Sequence, residues 1–139
     1  MTETTKKITR GADGYGLSLP NSFDDYDTAY TTTSSYVDVL TIDNRTTYLL
    51  LIAIVNNHAS ASLYYKIWGT IANSGSLPDT IPADGDDSWV ELQAETSLPA
   101  VTNNKARWAL SEPWKWVKVK IKQNSGAGTA KVYARGLRN

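Results

Sequence analysis

The chain has 139 residues, with 14 basic and 14 acidic side chains and no cysteine. That length suits one domain, able to bury about 70% of its unfolded surface, and the missing cysteine excludes disulfides, thiolate metal sites and a cysteine nucleophile. Net charge is zero, yet six Asp and no Lys or Arg fall in residues 11–43, while seven Lys or Arg and no acid fall in 113–139; such sorting suits contacts between copies of the chain, or pairing of the two segments within one copy.

Residues 1–35 are poor in Val, Ile and Leu, and Gly11, Gly14, Gly16 and Pro20 interrupt regular structure there. They read as an extended N-terminal arm, followed by a folded domain over 36–139. An arm with so few apolar anchors needs a partner surface; Tyr15, Leu17, Leu19, Phe23, Tyr26 and Tyr30 are its candidate interface, or else the anchors by which it packs along its own domain. The first ten residues lack the apolar stretch of a secretory leader, so no targeting segment is expected.

Beyond the arm, the pattern predicts strands at 36–42, 48–56, 62–68, 88–94, 107–110, 114–123 and 129–135. Turn chemistry falls between them, at Asp43-Asn44, Asn56-Asn57, Asn73-Ser74-Gly75, Asp84-Gly85, Asn103-Asn104 and Asn124-Ser125-Gly126. The run 48–55 is apolar on both faces, as in a central strand covered by the other sheet or by a neighbouring subunit. Its eight residues fall far short of the ~20 that a membrane helix needs. The gap at 69–88, with Pro78, Pro82 and Asp84-Gly85-Asp86-Asp87, reads as a surface loop. Residues 113–122 alternate: Lys115, Val117, Val119 and Ile121 on one face, and Trp114, Trp116, Lys118, Lys120 and Lys122 on the other. Short strands with short connections and no helical period predict an all-β fold, an antiparallel β-sandwich for which a jelly roll is one arrangement.

The chemistry of an enzyme is missing. The single histidine, His58, sits at a strand end without a nucleophile motif and reads as a turn residue. No carboxylate pair occupies an apolar pocket, and no phosphate-binding glycine motif occurs, so we expect neither catalysis nor a cofactor. Asp84, Asp86 and Asp87 are weak candidates for Ca²⁺, since the spacing is not that of an EF-hand. The run from Asp84 to Trp89 is similar to an Asp-box turn, but Asp86 stands where that motif has glycine, and it reads as a hairpin turn. Trp114 and Trp116 beside Lys118, Lys120 and Lys122 form the candidate face for a ligand or partner: a glycan platform, a nucleic-acid stack, or a structural surface in which lysines guard a strand and tryptophans anchor a core or interface. The structural reading is favoured, the glycan is the alternative, and neither nucleic acid nor membrane is expected as a partner.

Four phrases, Tyr65-Lys66-Ile67-Trp68-Gly69, Trp89-Val90-Glu91-Leu92, Glu112-Pro113-Trp114-Lys115-Trp116-Val117-Lys118-Val119 and Lys131-Val132-Tyr133-Ala134-Arg135-Gly136, together resemble a pattern in small virion proteins of tailed bacteriophages. The resemblance spans 36–136 and departs from the pattern in the longer 69–88 loop and the polar arm. It implies a non-enzymatic structural protein of the virion, foremost a capsid decoration or cement protein. Its arm would bind neighbouring capsid subunits or other virion proteins while the domain forms a homo-oligomer. The alternative is a carbohydrate-binding β-sandwich in a fibre or tail. Deleting 1–30 is then expected to leave a folded domain.

Overall fold

The computed structural model describes residues 4–7, 23–44, 47–72, 80–100, 104–123 and 128–138, with the backbone alone at 4–7, 23–30, 47–48, 129 and 138. The described residues form nine strands and no helix: β1 (Thr4–Lys7), β2 (Phe23–Thr31), β3 (Val37–Asp43), β4 (Thr47–Asn56), β5 (Leu63–Thr70), β6 (Val90–Leu98), β7 (Asn104–Leu110), β8 (Trp116–Gln123) and β9 (Thr129–Arg138). All seven expected strands are present, with ends moved by a few residues.

Two sheets stack, one ordered β1-β3-β8-β5-β6 and the other β2-β9-β4-β7. From β2 onward the chain changes sheet at every step except between β5 and β6, and the paired strands nest as β2 with β9, β3 with β8, β4 with β7 and β5 with β6. This is the eight-stranded jelly roll, a long hairpin bent at the loop after β5 and wound into a sandwich. Strand β1 adds to it in parallel beside β3.

Alternation builds the core. Leu40 and Ile42 of β3, Val117, Val119 and Ile121 of β8, and Leu63 and Ile67 of β5 are fully buried, and they meet Leu50, Ile52 and Ile54 of β4 with Ala130, Val132 and Ala134 of β9. Each large aliphatic buried this way contributes about 1.5–3 kcal/mol. Edge strand β6 is guarded by two irregularities in its pairing with β5, at Tyr65/Ile67 and Ile67/Trp68.

Two expectations change. First, within the stretch read as an N-terminal arm, 23–31 is strand β2, paired along its length with β9 from Phe23↔Leu137 to Thr31↔Thr129; this agrees with an arm packed along its own domain, and the sandwich begins before residue 36. The signal was masked because β2 draws its partner from the far end of the chain and carries three aspartates. Tyr15, Leu17 and Leu19 lie outside the described residues; Phe23, Tyr26 and Tyr30 take register positions opposite Leu137, Ala134 and Ala130. Second, the alternation at 113–122 starts only at Trp116. A tight turn, in which the Trp114 N–H bonds to Glu112 O at 2.9 Å, turns Trp114 out of that pattern and onto the core side. There its indole lies so close to Gly69 that a Cβ on that glycine would stand 3.1 Å from Trp114 Cδ2 and 2.8 Å from Leu92 Cδ1.

Candidate functional site

The outer face of the five-stranded sheet carries the expected lysines in register. Lys118 lies between Thr41 and Trp68, and Lys120 between Asp38 and Lys66. Lys118 and Trp116 are only 4% and 6% exposed. The alternative reading of an open platform of indoles and ammonium groups does not fit this geometry: Trp114 packs on the core, Trp116 is buried, and the lysines are paired. Asp38, from β3, bridges Lys118 (3.1 Å) and Lys120 (2.7 Å). Alternation could not reveal this, because Asp38 and the lysines approach one another only through strand pairing.

The β5–β6 loop folds onto this face. Its tip turns at Gly85, in the left-handed region with φ of 87°, and closes with Asp86 N–H donating to Ala83 O (3.1 Å) and Trp89 N–H to Asp86 O (3.2 Å). Trp89 Nε1 donates to Ala83 O (3.0 Å). Asp84 then reaches back to Lys120 (2.9 Å) and Lys118 (3.5 Å), while the Lys118 ammonium stands 4.8 Å from the Trp89 ring centre. The Lys120 hydrogen bond holds the Asp84 carboxyl below its usual pKa. Burial pulls the Lys120 ammonium down, but hydrogen bonds and charge from Asp38 and Asp84 outweigh it, and its pKa ends raised. Asp86 spends one oxygen on the Ser88 N–H (2.9 Å), which lowers its pKa. The three loop aspartates considered for Ca²⁺ thus do not converge, and among the described residues no group of three or more acidic or imidazole side chains is arranged to hold a metal ion.

A second cluster continues the face. The Tyr36 hydroxyl donates to Glu95 (2.5 Å), with Lys66 and Lys122 at 4.7 and 4.9 Å from the Tyr36 ring centre. Burial, then the hydrogen bond to the carboxylate, raises the phenol's pKa, and the same bond lowers that of Glu95. His58 sits in a turn as expected, its Nδ1 accepting from the N–H groups of Ser60 and Ala61, each at 3.0 Å.

The opposite face differs. On β4 the outward Leu49 and Leu51 are 43% and 41% exposed; with Ala109 and Leu137 they line an apolar groove of about 470 Å³ bordered by Arg135. The both-sided apolar pattern of 48–55 was legible in sequence; that the described residues leave Leu49 and Leu51 partly exposed on one side was not.

No family of known proteins has a model that this chain matches, and no curated protein matches it. Among solved structures it is similar to one described under the heading of Bacillus endospore appendages that form disulfide-linked pili, at 11% identity and a TM-score of 0.44 over 85% of this chain and 88% of that one.

Proposed function

We propose that the protein is a non-enzymatic structural component of a virion, a capsid decoration or cement protein that self-associates through the outer face of the four-stranded sheet. The observation that carries the self-association is the pair Leu49 and Leu51, exposed at the centre of a sheet. Apolar side chains set together there favour burial against another surface. The register positions of charged residues in this sheet suit a second copy as the occupant. Register places Asp27 at one edge of a row that runs through Tyr133 and Ala53 to Arg107 at the other, and a twofold axis along the strands sets the Asp27 edge of one copy over the Arg107 edge of the next. The virion setting rests on the sequence resemblance and on the frequent use of jelly rolls in capsids, a fold-level analogy.

Light scattering on the purified protein tests the self-association. The expected result is an oligomer that Leu49→Asp with Leu51→Asp reduces to a folded monomer; a wild-type monomer would overturn it. Co-sedimentation with capsids, lost in the same variant, tests the decoration role.

A further inference from the structure

Between the tip loop and the five-stranded sheet lies a cleft of about 310 Å³, walled by Trp68 and Trp89 and edged by Asp84, Asp86, Lys118 and Lys120. Its size is at the lower end of the ~300–1,000 Å³ typical of small-ligand sites. We propose that it binds a neutral hexopyranose unit of a glycan. This site is separate from the assembly face, which lies on the other sheet, and the inference does not depend on it.

The chemistry of the walls narrows the ligand. Trp68 offers its ring rather than its N–H, because its Nε1 is buried and has no acceptor; an indole face, negative at its centre, suits the weakly positive C–H groups of a sugar ring. Around the rings stand both kinds of partner that a hydroxyl uses: carboxylate oxygens of Asp84 and Asp86 as acceptors, and the Lys118 and Lys120 ammonium groups as donors. The charges decide against an ionic ligand. Both ammonium groups already lie within 3.5 Å of Asp84 and 3.1 Å of Asp38, so an anion would have to displace a carboxylate and would also meet Asp86. Among the described residues no converging set of acidic ligands awaits a cation. A neutral polyol needs neither displacement nor convergence.

The site also explains the mixed composition of the loop. Asp84 latches it to the sheet, Gly85 makes the turn, and Trp89, held by its bond to Ala83 O and by Lys118, is pre-set as the second wall, which lowers the ordering cost of binding.

The test applies full-length protein to an array carrying hexaoses of glucose, galactose, mannose and N-acetylglucosamine beside sialylated and sulfated glycans, then follows the tryptophan indole N–H signals by NMR with any hexaose retained. A retained neutral hexaose that moves the Trp68 and Trp89 signals supports the site. Trp89→Ala is expected to weaken that binding by about tenfold or more, the scale of one aromatic stacking contact, while circular dichroism is preserved. Asp86→Asn, at the exposed tip, serves as a second variant that leaves the fold intact and weakens binding by severalfold. Retention of acidic glycans alone, no retention at all, or wild-type affinity in both variants overturns the proposal.

Discussion

Gln123 is fully buried at one end of the sandwich and holds three parts of the chain together. Its Oε1 accepts from the Thr32 hydroxyl (2.5 Å), and its Nε2 donates to Asn56 Oδ1 (3.0 Å) and Ala61 O (3.2 Å). Asn56 in turn donates to Ala61 O and Leu98 O. A network this buried is stabilising when every member is satisfied and costly when one is removed. Gln123→Ala is expected to cost about 2–4 kcal/mol, from a cavity plus orphaned polar groups, read as a lower urea midpoint; an unchanged midpoint would refute the role. Gly128 packs on the same glutamine, and a Cβ there would run into Gln123 Oε1 and His58 Cδ2. Gly128→Ala should therefore lower stability by about 1–3 kcal/mol through overpacking. Asp38 is the comparable residue on the outer face: Asp38→Asn leaves Lys118, 4% exposed, with the more distant Asp84 as its carboxylate partner among the described residues, and is expected to cost about 2–3 kcal/mol. That is below the ~3–5 kcal/mol of a fully orphaned buried charge because Asp84 remains.

At the scale of elements, the β5–β6 loop is a latch closed by charge. The pKa of Asp84 is lowered in the folded chain, so its contribution is fully present above the ordinary carboxylate pKa near 4. It is lost as pH falls through the lowered folded value. Acidification below about pH 4 is expected to change the emission or indole N–H signal of Trp89 before the core unfolds, and Asp84→Asn should show the released signal already at neutral pH. A single transition, identical in wild type and variant, would show that the loop is held by other contacts. The latch leaves the Asp38 bridges in place, so loop release and sheet unfolding are separable events.

For the whole molecule, nesting explains the charge sorting of the sequence. The acidic first third contains β2 and β3, the basic last fifth contains β8 and β9, and the jelly roll sets Asp25 opposite Arg135 and Asp38 opposite Lys120. Intrachain pairing thus uses part of the polarity that also suits contact between copies. The same nesting makes the closing contacts non-local: Thr32 and Gln123, which touch, are 91 residues apart. Folding is expected on the millisecond-to-second scale of sandwiches rather than in microseconds, measurable by stopped-flow tryptophan emission. Removing residues 1–31 strips β2 from β9 and leaves β9, which carries the buried Ala130, Val132 and Ala134, as the open edge of its sheet. The truncated chain should lose much of the ~5–15 kcal/mol typical of a domain. A truncation with an unchanged urea midpoint would restore the reading of this segment as an arm that the folded domain does not need for its stability.

Sequence alone determined the seven strands from 36 onward, because period-two alternation and turn residues act over a few neighbours and are read locally. It also located the leucine-rich β4 and the inner face of β8, whose valines and isoleucine alternate without interruption. The tertiary structure decided what depends on partners remote in the chain. It made 23–31 a strand, since β9 supplies the hydrogen bonds that its polar composition does not announce. It buried Trp116 and paired Lys118 with Asp38, since only strand registry brings these groups together. It also set Trp68 beside Trp89 under a folded loop, where alternation had pointed to Trp114 and Trp116. Local pattern says which residues face the same way, whereas burial and contact are set by what the rest of the chain lays over them.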